Sequence, residues 1–311
     1  MNTFKRLPTL TQLRHLVALD RYRHFGKAAE ACFITQSSLS LSIRELESGL
    51  RAQLVERTRR SVMLTKLGEE IVRRALTVIA DVASIAELAE ADGSVLTGDL
   101  RLGVIPTIAP FLLPRTLPRL RASYPDLKLY LREGHTADLV RQLQSGDLDV
   151  LLLAFPYPAA GLQTLLFADD PFWVAYPHGQ APGNTGAVSR DCLKKEKLLV
   201  LEEGNCLRDH AFGACRLDAG SANVEFQASS LHTLIQMVDN GLGVTLIPRM
   251  AIDGGIAAAT RTELRPMEGT GTSRQIGLAW RPTSARQSDF KLLAEFFSTA
   301  LASCPPQHLT D

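Results

Sequence analysis

Apolar residues recur at helical spacing in three consecutive segments near the start of the chain. In the third segment Leu39, Ile43, Leu46 and Leu50 follow at intervals of four, three and four, and Thr35 stands where a helix N-cap is expected. The two preceding segments have apolar faces formed by Leu10, Leu13, Leu16, Val17 and Leu19, and by Phe25, Ala28, Ala29 and Cys32. Short helices joined by a tight turn, with alanines where they cross, predict a helix-turn-helix.

The polar face of the third helix and the segment after it have the composition of a DNA-binding surface. Residues 54–68 predict two short strands that form a wing with arginines at its tip, which completes a winged helix-turn-helix domain over residues 1–66. Short polar side chains and cations suit base edges and phosphates. The predicted DNA contacts are Thr35, Gln36, Ser37, Ser40, Arg44, Arg57, Arg59 and Arg60. A small helical bundle with a polar face is the alternative.

Residues 67–92 predict one long helix with a continuous apolar stripe. The stripe consists of Leu67, Ile71, Ala75, Val78, Val82, Ile85 and Ala89. Because spacing of three and four is typical of coiled coils, this linker helix is predicted to join two copies of the chain. Packing of the helix against its own chain is the alternative. Residues 93–98, bounded by two glycines, are predicted to form a hinge.

From residue 99 onward, short apolar strands alternate with helices. Strands are predicted at residues 100–105, 128–132, 149–154, 172–176, 197–201, 244–247 and 275–281, and helices at 112–124, 136–145 and 287–301. This alternation predicts an α/β fold with a parallel sheet. We expect two lobes, one from residues 99–166 and 269–311 and the other, which holds the redox-active cysteines, from 167–268. A cleft between such lobes is a common place for a small ligand.

Charge is distributed unevenly along the chain. Residues 1–66 contain 12 Lys and Arg against 5 Asp and Glu, a balance of +7, whereas all 311 residues together have a net charge of +1, so the remainder carries −6. A basic end on an acidic body favours a polyanion as the partner of the N-terminal region. No membrane span or signal peptide is evident, so a cytoplasmic location is expected. We find no zinc, phosphate-loop or other cofactor pattern.

Cys206 and Cys215, two of the five cysteines, are the candidate reactive groups. If residues 206–215 formed one helix, the two Cα atoms would lie about 13.5 Å apart, at ~1.5 Å per residue. A disulfide needs Cα atoms within about 7 Å, so bond formation would require local refolding, which Gly204 and Gly213 would ease. A thiol reacts with peroxide as its thiolate, so a lowered pKa is expected for the reactive cysteine.

The N-terminal region resembles the LysR-type transcriptional regulators. The matching positions are Phe25, Ala28, Ala29, Thr35, Gln36, Ser37, Leu39, Ser40, Ile43, Arg44, Leu46 and Glu47, followed by residues 54–58, and residues 229–248 are also typical of that family. The resemblance implies a linker helix that pairs two chains on a two-fold operator in double-stranded DNA. It also implies a two-lobed regulatory domain of the periplasmic-binding-protein fold. Arg51 departs from the pattern, because a glycine is usual there, and Leu41 and Ser42 are unusual in the recognition helix.

The C-terminal region resembles the peroxide-sensing members of this family. The matching segments are residues 103–107, 112–114, 201–204, 206–209 and 276–278, together with Cys215, Arg281 and Pro282. This resemblance implies that Cys206 reacts with hydrogen peroxide and that Cys215 resolves the product into a disulfide.

The same resemblance implies that the peroxide pocket lies around the reactive sulfur. Its expected residues are Thr107, Thr136, Asn205, Arg208, Asp209 and Arg281. Asn205 and Ala137 stand where some relatives have histidine. A homodimer or homotetramer that contacts RNA polymerase and controls antioxidant genes is implied as well.

Two other functions compete with a peroxide-responsive regulator. A LysR-type regulator could respond to a small organic effector in the cleft, with incidental cysteines; Cys206→Ser would then leave induction intact. A thiol peroxidase is the second alternative, and the basic helix-turn-helix argues against it because an enzyme needs no such domain. We therefore expect a regulator and not an enzyme.

Overall fold

The computed structural model describes residues 7–57, 62–90, 95–159, 161–183, 186–193, 196–215 and 227–302. The chain divides into two compact units, one built on residues 1–92 and the other mainly on residues 93–311. No helix in these described ranges is long and apolar enough to cross a membrane.

The first unit has the predicted helix-turn-helix with two strands after it. Its elements are α1 (Leu10–Tyr22), α2 (Phe25–Ala31), α3 (Gln36–Leu50), β1 (Val55–Arg57), β2 (Val62–Leu64) and α4 (Lys66–Glu90). The Thr35 side chain caps α3 by accepting a hydrogen bond from Ser38 N, which confirms the predicted N-cap. Arg51 ends α3 with φ of 52°, a left-handed conformation that explains why glycine is usual at this position.

The start of the wing is hydrogen-bonded to the recognition helix α3. Glu47 Oε1 accepts hydrogen bonds from Leu54 N at 2.8 Å and Val55 N at 3.0 Å. A Cβ atom on Gly68 would lie 2.3 Å from Leu54 O, so only glycine allows α4 to begin this close to the wing. These contacts fix β1 and α4 relative to α3.

The apolar stripe of α4 divides into two parts. Ala75 is fully buried and Ile71 packs against the core of the first unit, where α4 contacts α1. Val78, Val82 and Ile85 are instead 44%, 42% and 64% exposed. Ile71 and Ala75 are therefore used within the chain, whereas the later part of the stripe, and Leu67 at its start, are exposed.

The second unit is an α/β fold with a seven-stranded main sheet and a separate two-stranded sheet. Its elements are β3 (Gly98–Val104), α5 (Ala109–Ser123), β4 (Leu127–Glu133), α6 (Thr136–Gln144), β5 (Val150–Phe155), β6 (Gln163–Tyr176), α7 (Arg190–Leu193), β7 (Val200–Leu201), α8 (Cys206–Cys215), β8 (Gln227–Ala228), α9 (Leu231–Asp239), β9 (Thr245–Pro248), α10 (Arg249–Asp253), β10 (Glu263–Pro266), β11 (Ser273–Trp280) and α11 (Gln287–Ala302). The α/β class is as predicted.

The sheet is mixed, so the expectation of a parallel sheet was wrong. Its strand order is β10-β6-β11-β5-β3-β4, and β9 also pairs with β6. Strand β3 is parallel to β4 and β5, whereas β11 runs antiparallel to both β5 and β6. The strand expected at residues 172–176 begins at Gln163, and the proposed lobe boundary at 166/167 therefore falls inside one continuous strand.

The described part of the predicted hinge, residues 95–98, is held by α11 and its preceding turn. Leu96 is fully buried, and its N–H donates to Asp289 Oδ1 at 3.1 Å. Arg286 donates to the carbonyl oxygens of Thr97 and Asp99. These contacts make residues 95–98 part of the second unit.

Candidate functional site

Cys206 and Cys215 are the first and last residues of α8. Both thiols are free, and the side chains are 8% and 0% exposed, respectively. Nine helical steps separate their Cα atoms by about 13.5 Å, well beyond the ~7 Å limit for a disulfide. The two sulfurs therefore cannot bond while α8 is intact.

Burial raises the pKa of the Cys206 thiol, and this is the largest influence on it. The Arg274 guanidinium and the Thr136 hydroxyl act in the opposite direction, while the Asp209 carboxylate raises the pKa further. The expectation of a lowered pKa at the reactive cysteine is therefore wrong for this conformation. The thiol is held protonated, with a cation and a hydroxyl in place to stabilise the thiolate when it forms.

Cys215 lies in a different environment at the other end of α8. Burial raises the pKa of its thiol to about 11, and the Arg190 guanidinium lowers it only partly. With no exposed surface, this sulfur is closed to a reagent from solution.

Arg274, at the start of β11, connects the sulfur to the loop before α5. Its guanidinium donates from Nη1 to Thr107 Oγ1 at 2.9 Å and from Nη2 to Thr107 O at 3.0 Å. Both side chains are buried. Of the predicted residues, Thr107 is thus bound to the arginine that lowers the pKa of Cys206, and the Thr136 hydroxyl also lowers that pKa.

Arg281 was expected beside the reactive sulfur, and the structure places it elsewhere. Its Nη1 donates to the carbonyl oxygens of Leu143 and Leu148, the latter at 2.7 Å. Seven residues of extended chain at ~3.3 Å each separate Arg281 from Arg274 by about 23 Å. The cation that lowers the pKa of the Cys206 thiol is Arg274, a residue that no sequence pattern indicated.

The remaining predicted pocket residues have separate roles. Asn205 is 4% exposed, and its Oδ1 accepts from Leu207 N at 3.2 Å, which caps the start of α8. Asn205 Nδ2 is buried with no hydrogen-bond partner among the described residues. Arg208 is directed away from the sulfur, toward Glu203 at 3.5 Å and the Phe212 ring at 5.6 Å.

A cleft of ≈ 250 Å³ opens beside Asn205. Polar side chains from several elements of the second unit line it, among them Thr107, Glu133, His135, Glu202, Asn205 and Ser230. Gly204, in the turn before Cys206, has φ of 90°, and its Cα faces the His135 ring. No cluster of three or more metal-ligating side chains occurs among the described residues.

Known proteins match the chain over nearly its full length. The family model described as "Bacterial regulatory helix-turn-helix protein, lysR family" matches residues 10–69, and "LysR substrate binding domain" matches residues 93–302. The chain belongs to the LysR family of regulators.

Two curated relatives and one solved structure represent the LysR-family proteins that resemble this chain. The transcriptional regulator EstR of Acinetobacter baylyi is 39% identical over 96% of this chain and 98% of its own. A probable hydrogen peroxide-inducible genes activator of Streptomyces viridosporus is 38% identical over 100% of both chains. A full-length OxyR variant from Pseudomonas aeruginosa superposes with a TM-score of 0.72 at 32% identity, over 97% of this chain and 100% of that one.

The predicted DNA-contacting surface of this LysR-family chain is only partly described. Gln36, Ser37 and Arg44 are exposed on α3, and Ser40 is half-buried. The Thr35 hydroxyl is engaged in capping α3 and lies 3.0 Å from Ser37 Oγ. The Arg57 side chain and the whole of Arg59 and Arg60 lie outside the described residues.

Proposed function

We propose that this LysR-family transcription regulator senses hydrogen peroxide through Cys206 and Cys215 and controls antioxidant genes. One observation carries the proposal: two buried thiols occupy the two ends of one helix, and a guanidinium and a hydroxyl lower the pKa of one of them against the effect of burial. The peroxide-related name of the Streptomyces relative and the OxyR structure support it.

The chemistry has two steps. The Cys206 thiolate attacks one oxygen of hydrogen peroxide, the O–O bond breaks, and hydroxide leaves and is protonated to water, which leaves a sulfenic acid. The Cys215 thiolate then attacks that sulfur, the S–S bond forms, and the S–O bond breaks to release a second water. The two thiols lose two electrons in total, and the peroxide gains both.

The second step requires α8 to open, because the Cα atoms must approach from about 13.5 Å to within about 7 Å. Opening exposes groups that α8 now buries, including Leu207 and Phe212, and breaks the contact of His210 Nε2 with Pro156 O at 2.9 Å. Oxidation is thereby coupled to a change of backbone conformation, which is the requirement for a switch.

The helix-turn-helix transmits this change to DNA. We expect α3 to lie in the major groove of double-stranded DNA and the later, exposed part of α4 to pair two chains on a two-fold operator. The reduced and the oxidised protein both bind DNA, with different footprints. In each case two homodimers form a cytoplasmic homotetramer, and oxidation changes the contact of this tetramer with RNA polymerase. Identical footprints before and after peroxide treatment would contradict this part of the proposal.

The deciding experiment treats the reduced full-length protein with a slight excess of hydrogen peroxide and maps disulfides by peptide mass spectrometry. A Cys206–Cys215 bond that forms within seconds and is absent in Cys206→Ser is expected. Cys32→Ser is the matched control, because Cys32 lies in the first unit and is not part of the proposed pair. If all cysteines remained free thiols after peroxide treatment, the result would contradict the proposal.

The polar cleft favours one second candidate, a regulator that responds to a small organic effector. Its volume of ≈ 250 Å³ and its lining by Glu133, His135 and Glu202 suit a small polar molecule. In that case Cys206→Ser would leave induction of a reporter gene intact, whereas the peroxide proposal expects its loss.

A further inference from the structure

A buried ion pair joins Arg274 to Asp170, whose carboxylate takes no part in the steps above. Asp170 on β6 and Arg274 on β11 are direct neighbours across the antiparallel strands, and their side chains are 3% and 0% exposed. Asp170 Oδ2 accepts from Arg274 Nε at 2.9 Å, and Asp170 Oδ1 accepts from Met250 N at 2.8 Å.

The hydrogen bonds of this pair form a continuous path from α10 to the Cys206 site. Met250 N holds one oxygen of Asp170, the other oxygen holds Nε of Arg274, and the two Nη atoms hold Thr107. One carboxylate oxygen of Asp170 is thus hydrogen-bonded to the backbone of α10, and the other is hydrogen-bonded to the guanidinium of Arg274. A planar guanidinium held at Nε has a fixed orientation at its two Nη atoms.

We propose that Asp170 is a positioning residue for the Cys206 site, whose carboxylate holds Arg274 in the orientation that engages Thr107, at the cleft that Asn205 also lines. This inference rests on the proposed function. A buried ion pair gives weak net stability compared with apolar residues of similar size, so stability alone is a poor reason for one in this core. The charged groups that act on Cys206 itself are Arg274 from β11 and Asp209 from α8, and Asp170 acts through Arg274.

Positioning and charge compensation predict opposite effects of removing the carboxylate. If Asp170 positions Arg274, Asp170→Asn releases the guanidinium from its place and the thiolate of Cys206 becomes harder to form. If Asp170 only neutralises part of the Arg274 charge, the same change leaves a stronger positive field at the sulfur and the thiolate forms more easily.

The test measures the rate at which iodoacetamide alkylates Cys206 in reduced full-length protein at pH 7.5, together with the rate of its reaction with hydrogen peroxide. Asp170→Asn is expected to slow both reactions by roughly tenfold or more. Arg274→Lys is expected to slow both by a similar factor, and the double variant to be no slower than the slower single variant, because the two residues act as one unit. Asp170→Glu, whose carboxylate is displaced by one methylene, is expected to lie between wild type and Arg274→Lys.

The chain offers a matched control in Asp289→Asn. Asp289 Oδ1 also accepts from a backbone N–H, that of Leu96, and its Oδ2 from an arginine Nε, that of Arg286 at 2.8 Å. The Nη atoms of Arg286, however, donate to Thr97 O and Asp99 O and not to Thr107. This variant is expected to lower the melting temperature and leave both Cys206 rates unchanged.

Several results would overturn the positioning role. Faster alkylation in Asp170→Asn would assign charge compensation, and unchanged rates with a lower melting temperature would assign a purely structural role. If Asp170→Asn does not fold, wild-type rates in folded Asp170→Glu would overturn the proposal. Alkylation reports on Asp170 even if wild-type Cys206 fails to react with peroxide, a result that would count against the proposed function alone.

Discussion

The two ends of α8 carry the same side chain in different surroundings. Burial raises the pKa of both thiols, yet Arg274 and Thr136 act to lower it at Cys206, whereas among the described residues Arg190 alone does so at Cys215. The helix dipole also favours an anion at the N-terminal end, where Cys206 lies, and disfavours one at the Cys215 end. The position of each cysteine in the fold, and not its chemistry, therefore suits the first for reaction with peroxide and the second for a later step.

The largest expected effect separates the two cysteines directly. Cys206→Ser should abolish reaction with hydrogen peroxide, a loss of at least about a hundredfold, because the remaining thiol of the pair is fully buried and far from Arg274. Cys215→Ser should retain the first step and accumulate a sulfenic acid on Cys206, since no resolving thiol remains. Labelling with dimedone and peptide mass spectrometry checks both outcomes. Sulfenic acid on Cys215 in the Cys206→Ser variant would reverse the assignment.

The second-largest expected effect tests which arginine stabilises the thiolate of Cys206. Arg274→Gln should slow the peroxide reaction by about tenfold or more, because the buried thiolate loses its nearby cation. Arg281→Gln removes an equally buried arginine that binds the carbonyl oxygens of Leu143 and Leu148, so it should lower thermal stability without slowing the reaction. Stopped-flow rates and melting curves of the two variants form the comparison. Equal slowing in both would show that the loss is a general effect of destabilisation.

The pH dependence of the first step follows from the raised pKa of Cys206. Because the thiol is protonated at neutral pH, its thiolate fraction, and with it the peroxide rate, should rise about tenfold per pH unit. The Cys215→Ser variant isolates this step from disulfide formation. The rise should continue past pH 8.5, the ordinary pKa of a cysteine. A plateau below pH 8 would mean that Cys206 is more acidic than this conformation allows.

The smallest effect concerns His210, which lies between the two cysteines on α8. His210 Nε2 contacts Pro156 O at 2.9 Å. Burial and, to a smaller extent, the Arg274 charge lower the pKa of the imidazole, although the Pro156 contact and Asp209 oppose this. The intact helix favours neutral His210, so its stability should fall as the pH drops through the ordinary histidine pKa.

His210→Leu removes the contact with Pro156 and the titratable group together. Disulfide formation after the peroxide step should become several-fold faster, in line with the loss of a hydrogen bond of about 1 kcal/mol. Quenched-flow mass spectrometry at pH 6 and pH 8 measures it. The ratio of mutant to wild-type rates should be larger at pH 8, where His210 is neutral and holds the helix most firmly. An equal ratio of mutant to wild-type rates at pH 6 and pH 8 would show that protonation of His210 does not affect the opening of α8.

Much of the fold could be predicted because its elements depend on local patterns. The intervals of Leu39, Ile43 and Leu46 place α3, and Thr35 caps it as its side chain and position suggest. The coiled-coil-like stripe of α4 was harder to interpret, since the same spacing serves a core and a dimer seam. Only the burial of Ala75 and the exposure of Ile85 distinguish the two uses.

Only part of the candidate site could be predicted, because its residues come together from distant parts of the chain. Thr136 and Thr107 were identified by resemblance; Thr136 and Arg274 lower the pKa of the Cys206 thiol, and Arg274 binds Thr107. Asp170 carries no pattern of its own in the sequence, because the adjacent carboxylates Asp169 and Asp170 give no sign of which one will meet a buried partner. Its role depends on Met250 and Arg274, which are 80 and 104 residues away along the chain.

The sequence by itself determined the elements, the basic N-terminal domain and the separation of two cysteines by nine residues. Tertiary structure decided which arginine faces the sulfur. An alternating apolar strand has the same pattern in either direction, so β11 could have been parallel to β5, with Arg281 near the end of β5. Because β11 is antiparallel, its first residues lie at the edge where β3 and β5 end, and Arg274 meets Thr107 there.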